Sequence, residues 1–192
     1  MKNFAIANVI DTERTCWAGG VAPEGQVSEI IEIGLCEVNL ADLTLGRCLS
    51  LPVVPIRSTV SPYCTELTGW TDELLRKRGR KFEEVCRTLA KYGVRNRLII
   101  ADSADELECF AAQCAERGIE NPFGVEIYNV STEFTLITGQ KRNLSLEEKL
   151  AHVKLPFDGK LHRASEDARN IARLFAAMMS QSRLAATNAF RN

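Results

Sequence analysis

Three groups of residues in this 192-residue chain have the types and spacing that catalysis uses. The first is Asp11-Thr12-Glu13, two carboxylates at i and i+2 where the apolar run Phe4–Ile10 reads as a buried strand ending at Asp11. On extended backbone, residues two apart point to the same side. Like charges that close repel unless a cation bridges them or one keeps its proton. Hard-metal coordination by carboxylate oxygens is the economical explanation, although a DxE pattern alone is explained as well by a solvated turn. The second group is a lone acid after the apolar run Arg97–Ala101. Asp105 stands at a helix start, where Asp also serves as a cap, and Asp102 competes from the same loop.

The third group is His162-Arg163-Ala164-Ser165-Glu166-Asp167. With a helix beginning near Ala164, His162 lies on the entering loop and Asp167 on the early turns. That division suits a general base beside a metal ligand, because the base must reach a water while the ligand must stay fixed. Histidine's ordinary pKa lies near neutrality, as a base requires. The other histidine, His152, precedes Val153 on a predicted helix and is read as structural. Four carboxylates and a histidine in this order meet the needs of two-metal phosphodiester hydrolysis, in which ions about 3.5–4 Å apart activate water and stabilise the leaving oxygen.

The elements that must position these groups follow from periodicity. Glu29–Val38 and Leu45–Val54 read as strands joined by a turn at Asn39–Asp42, completing a meander with the first strand. Ser58–Tyr63 reads as loop, and Thr71 caps a short helix through Leu74 and Leu75. Arg80–Tyr92 repeats Phe82, Val85 and Leu89 at helical spacing. Arg97–Ala101 reads as a central strand buried on both faces. Ala104–Arg117 is predicted as a helix closed by Gly118, with Gly124–Val130 as a fifth strand. Ser131 or Thr132 is expected to cap the next helix, and Ser145 to start another. A long helix from Ala164 to about Arg183 carries Ile171, Leu174, Phe175 and Met178 on its apolar face, and the polar stretch Ser180–Asn192 is expected to fray. Three strands followed by helices alternating with two more predict a mixed sheet flanked by helices in one α/β domain, spanning 1–192 with a core of about 4–180.

Composition bounds the rest. At 45% hydrophobic and 26% charged the chain is ordinary for a globular protein. A net charge of −1 gives no bulk attraction for nucleic acid, so a local basic patch or bound cations must supply it. Seven scattered cysteines with no CxxC pair argue against a zinc site and against a disulfide framework, and for thiols in a reducing cytoplasm. No apolar run approaches the ~20 residues of a membrane span, so no membrane association is expected.

The pieces IDTERTCW (Ile10–Trp17), EIIEIGLCEV (Glu29–Val38), SPYCTELTGWT (Ser61–Thr71), DSADELECF (Asp102–Phe110) and LHRASEDARNIARLF (Leu161–Phe175) occur in the order of a known family. In them the chain resembles the DEDDh exonucleases of the ribonuclease H-like superfamily, within it the Eri-type, histone-mRNA-exonuclease-like group. The resemblance implies a ribonuclease H-like mixed five-stranded sheet flanked by helices. It also implies a metal-dependent 3′-5′ exonuclease using two Mg2+ ions, with Mn2+ able to substitute. Asp11, Glu13, Asp105 and Asp167 resemble the metal ligands, and His162 the base that deprotonates the attacking water. The terminal nucleotide would lie against Glu13, Arg14, Thr15, Trp17, Leu67, Thr68 and His162. Trp17 and Trp70 read equally as stacking partners for a base or as tryptophans partly buried at a domain edge.

Relatives often carry an aromatic residue before the second-motif Asp, where this chain has Ala104. The expected partners are 3′ ends of single-stranded RNA, or of DNA, with a nucleoside monophosphate as product. The rival functions are a DNA proofreading exonuclease and a non-catalytic nucleic-acid-binding module of the same fold.

Overall fold

The computed structural model describes residues 3–124 and 126–189. Among the described residues there are five strands: β1 (Asn3–Arg14), β2 (Ile30–Asn39), β3 (Leu45–Pro52), β4 (Arg97–Ala101) and β5 (Ile127–Asn129). The helices among the described residues are α1 (Pro62–Thr68), α2 (Asp72–Arg78), α3 (Phe82–Lys91), α4 (Asp105–Glu116), α5 (Val130–Thr138), α6 (Leu146–His152) and α7 (Ala164–Ala189). The strands form one mixed sheet in the order β3-β2-β1-β4-β5, with β1–β2 and β2–β3 antiparallel and β1–β4 and β4–β5 parallel. This is the expected five-stranded architecture, with β1 rather than β4 at the middle.

Alternation along β1 divides the interior into two cores. Ile10 joins Ile33, Leu35, Ile99 and Ala101 beneath α3 and α4, where Phe82, Leu89 and Phe110 fill the layer. Ala7 and Val9 face the other way and pack with Ile100 against α7, through Ala168, Ile171, Phe175 and Met178. A sheet apolar on both faces needs cover on both faces, and the helices supply it.

Several boundaries differ from those predicted. β1 does not end at Asp11 but runs on to Arg14, because its polar end is held in a ladder with β2 through Glu13↔Glu32. Ser58–Tyr63 is not all loop: Ser61 caps α1, accepting the Cys64 amide at 3.0 Å, and Pro62 occupies the first turn. Asn129, not Ser131 or Thr132, caps α5 by accepting the Thr132 amide at 2.8 Å. The predicted fifth strand shrinks to Ile127–Asn129, and its Val125 lies outside the described residues. The segment expected to fray continues α7 as far as Ala189, and residues 190–192 lie outside the described range.

Cys36 and Cys48, register partners on β2 and β3, form a disulfide, which corrects the expectation of none. A separation of 12 residues becomes a contact only once the hairpin register is fixed. Among the described residues no helix is long and apolar enough to cross a membrane.

Candidate active site

Asp11 and Glu13 lie at the C-terminal end of β1, on the face that carries Ala7 and Val9 and looks toward α7. Asp167 comes to them from the first turn of α7. One carboxylate oxygen from each of the three lies within 4.8 Å of the others. The approach of α7 depends on Gly34, which stands opposite Asp11 in the β1–β2 ladder. A Cβ at Gly34 would overlap the Ala164 carbonyl, so no larger residue lets the helix start sit this close to the sheet.

Burial and mutual repulsion set the electrostatics. Asp11 is held well above the usual carboxylate range, first by desolvation and then by the charges of Glu106, Asp167, Glu13 and Asp102. Glu13 is pushed up to about 8 by burial, then by Asp167 and Glu32. Asp167 is pushed up to about 7 by burial, against the pull of the Arg163 and His162 backbone amides. Asp167 is 5% exposed, and its Oδ1 is buried without a hydrogen-bond partner. A buried acceptor left unpaired beside two more carboxylates is the environment a divalent cation relieves, so the residues present fit a metal site.

His162 sits in the turn before α7 with φ +63°, exposed, on the rim of the same pocket. That pocket has a volume of about 300 Å³ and also receives Thr12, Asp102, Glu106 and the start of α6 at Ser145–Glu147. His162 thus lies on the entering turn and Asp167 on the early helix, as the sequence placed them, and both line one pocket. His152 lies away from the pocket, its ring edge-on to Phe134 with centroids 5.3 Å apart.

Asp105 is not brought to the cluster. It is the first residue of α4, exposed, with its amide donating to Ser103 Oγ at 3.1 Å. The next residue, Glu106, lines the pocket instead, and its carboxylate accepts the Thr12 hydroxyl. Spacing does not reveal Glu106, because a one-residue offset at a helix start leaves the pattern of acids unchanged. Asp102 also reaches the pocket, but both of its oxygens accept from the ammonium of Lys149, at 2.6 Å for Oδ2. Lys149 is 1% exposed and also contacts Ser131.

The residues expected around the nucleotide divide by burial. Arg14 turns to the α4 side of the sheet, where its guanidinium meets Cys109. Thr15 is buried, donating to the Val27 carbonyl at 3.2 Å and accepting the Glu29 amide at 2.9 Å. Thr68 is buried too, donating to the Cys64 carbonyl at 2.8 Å and accepting the Trp70 amide at 3.1 Å. Leu67 and Trp17 are half-buried, so each keeps some surface for a ligand.

Trp70 is not free to stack on a base. It is 2% exposed, its Nε1 donates to Glu32 at 2.8 Å, and the Arg163 guanidinium lies 4.4 Å over its ring. Glu32 is fully buried and accepts the Ala164 amide at 3.3 Å, with Arg163 Nε as ion-pair partner at 3.3 Å. This knot anchors the turn that carries His162. Its trace in the sequence was an acid inside the otherwise apolar run EIIEIG.

Acidic side chains converge at the strand ends of this mixed sheet, and the exonuclease family model RNase_T matches residues 9–175: the chain belongs to that family. It is a 3′-5′ exonuclease, in keeping with its relatives. It is 29% identical to 3′-5′ exonuclease Snipper of Drosophila melanogaster, over 93% of this chain and 71% of that one. It is 24% identical to 3′-5′ exoribonuclease 1 of Mus musculus, over 89% of this chain and 52% of that one, so it spans about half of that relative's length. Among solved structures, the nuclease domain of 3′hExo, a DEDDh family member bound to rAMP, superposes with a TM-score of 0.83 at 23% identity over 93% of each chain. That likeness establishes the ribonuclease H-like fold.

Proposed function

We propose that this 3′-5′ exonuclease is metal-dependent and removes nucleotides one at a time from single-stranded nucleic acid, RNA ahead of DNA, as nucleoside 5′-monophosphates. The observation that carries the reading is the convergence of Asp11, Glu13 and Asp167, with the buried Oδ1 of Asp167 unpaired. These three and a further carboxylate would hold two divalent cations, Mg2+ by preference and Mn2+ as substitute, whose chemistry is to stabilise negative charge on the phosphate and the departing oxygen. Another protein of this fold, Schizosaccharomyces pombe Pop2p, has been solved in a Mg2+- and Mn2+-bound form, with a TM-score of 0.65 to this chain.

His162 takes a proton from the attacking water, and its place on an exposed turn lets the ring follow that water. The water oxygen forms a bond to the terminal phosphorus as the bond to the preceding 3′ oxygen breaks. The departing 3′ oxygen takes up a proton from solvent, so the products are a nucleoside 5′-monophosphate and a chain with a new 3′ hydroxyl. An open pocket of about 300 Å³ suits one splayed nucleotide rather than a base pair. The preference for RNA rests on the exoribonuclease among the relatives and on the rAMP-bound neighbour.

The test is a panel of 5′-labelled single- and double-stranded RNA and DNA with Mg2+, with products identified by chromatography. The expected result is fastest shortening of single-stranded RNA, with nucleoside 5′-monophosphates released. Internal cuts, or 3′-phosphate products, would overturn the proposal.

A further inference from the structure

Resting on the metal-dependent reading above, we propose that Glu106, not Asp105, supplies the fourth carboxylate of the cation site. Three acids lie at the junction of β4 and α4, and their surroundings separate them. Asp102 reaches the pocket, but both oxygens are occupied by the buried Lys149 ammonium, which neutralises it and would repel a cation placed there. Asp105 is exposed and outside the pocket lining. Glu106 lines the pocket beside Asp11, Glu13 and Asp167, and its carboxylate is tethered by the hydroxyl of Thr12, the residue between the two β1 acids.

The rotation of α4 fixes this choice. Successive helical residues point about 100° apart, so Asp105 and Glu106 cannot both face the pocket. Residues four apart share a face, and Phe110, one turn beyond Glu106, is fully buried against Phe82 and Phe123. Leu107 and Cys114 are buried in the same core. Glu108, on the Asp105 side, is exposed. Turning Asp105 inward would rotate Phe110 out of that core. The longer Glu side chain from position 106 therefore takes the place that the family pattern gives to an Asp.

The test is Mn2+ titration by calorimetry on the wild type, Glu106→Gln and Asp105→Asn, with melting curves in EDTA and in Mg2+. Glu106→Gln is expected to weaken Mn2+ binding by about tenfold or more and to shrink the melting-temperature gain from Mg2+. Asp105→Asn is expected to stay within about twofold of the wild type in Mn2+ affinity. In EDTA, Glu106→Gln should melt no lower than the wild type, because losing a carboxylate relieves repulsion, and this separates ligand loss from misfolding. Wild-type binding by Glu106→Gln, with weakened binding by Asp105→Asn, would overturn the assignment while leaving the metal-dependent reading in place. A wild type that binds no Mn2+ saturably would remove both.

Discussion

Gly34 faces Asp11 across the β1–β2 ladder, and a Cβ at Gly34 would lie 2.6 Å from the Ser165 amide nitrogen and closer still to the Ala164 carbonyl. The absence of one side chain therefore sets how near the N-terminus of α7, and Asp167 with it, comes to the β1 acids. Gly34→Ala is expected to push α7 outward and to cost about 100-fold in kcat, the scale of a 1 Å misplacement of catalytic groups. Initial rates with circular dichroism as a fold control check this. Full activity would show that α7 can shift without loss of the carboxylate cluster.

Burial, reinforced by neighbouring carboxylates, makes the metal-free protein sensitive to pH. Glu13 is raised from 4.5 to about 8 and Asp167 from 3.8 to about 7, so the folded state holds protons that the unfolded chain has already released at neutral pH. The contribution of these groups to stability is complete below about pH 4 and is lost as pH rises through about 7 to 8. Melting temperatures in EDTA should therefore fall between about pH 5 and 9, and Glu13→Gln with Asp167→Asn should flatten the decline. A wild-type profile that rises across that window, or one the double variant leaves unchanged, contradicts the burial argument.

Trp70 is predicted to act on stability and not on substrate affinity. Trp70→Phe keeps an aromatic ring but deletes the 2.8 Å bond from Nε1 to buried Glu32, at a cost of about 1–3 kcal/mol. Urea unfolding measures that loss, and KM for a single-stranded oligonucleotide should stay unchanged. Unchanged stability with a raised KM would show that the indole meets the substrate.

Lys149 is expected to be structural. Lys149→Met leaves Asp102 uncompensated beside the Asp11, Glu13, Glu106 and Asp167 carboxylates and should cost about 3 kcal/mol, the low end for a broken buried pair because the Asp102 side chain is 26% exposed. Adding Asp102→Asn should recover most of the loss. A double-mutant cycle by urea unfolding measures the coupling, and simple additivity would show that the two groups do not act as a pair.

How much could be read before the structure depends on how local each feature is. Strands β2 and β4 and helices α3 and α7 announce themselves through apolar periodicity that matches their buried faces, as Phe82, Val85 and Leu89 do on α3. The end of β1 does not, because Asp11–Arg14 has no apolar alternation and is held extended by β2, brought alongside from about twenty residues further along the chain. The Cys36–Cys48 disulfide and the Glu32–Trp70–Arg163 knot depend on register and docking in the same way. Helix α1 was legible in principle, since Ser61-Pro62 is a cap followed by a first-turn proline. At the site, spacing and the family resemblance singled out Asp11, Glu13, His162 and Asp167, and the fold brings the four to one pocket. Choosing among Asp102, Asp105 and Glu106 needs the rotation of α4 and the partner of Lys149, which spacing does not contain.

The most direct test of the account follows a 5′-labelled single-stranded oligonucleotide on a sequencing gel with wild-type protein and with Asp11→Asn. In Mg2+ the wild type should give a ladder shortening one nucleotide at a time from the 3′ end. EDTA should abolish the ladder, added Mg2+ should restore it, and folded Asp11→Asn should produce none. A ladder that persists in EDTA, or that survives in Asp11→Asn, would contradict the central claim that Asp11, Glu13 and Asp167 hold the cations on which hydrolysis depends.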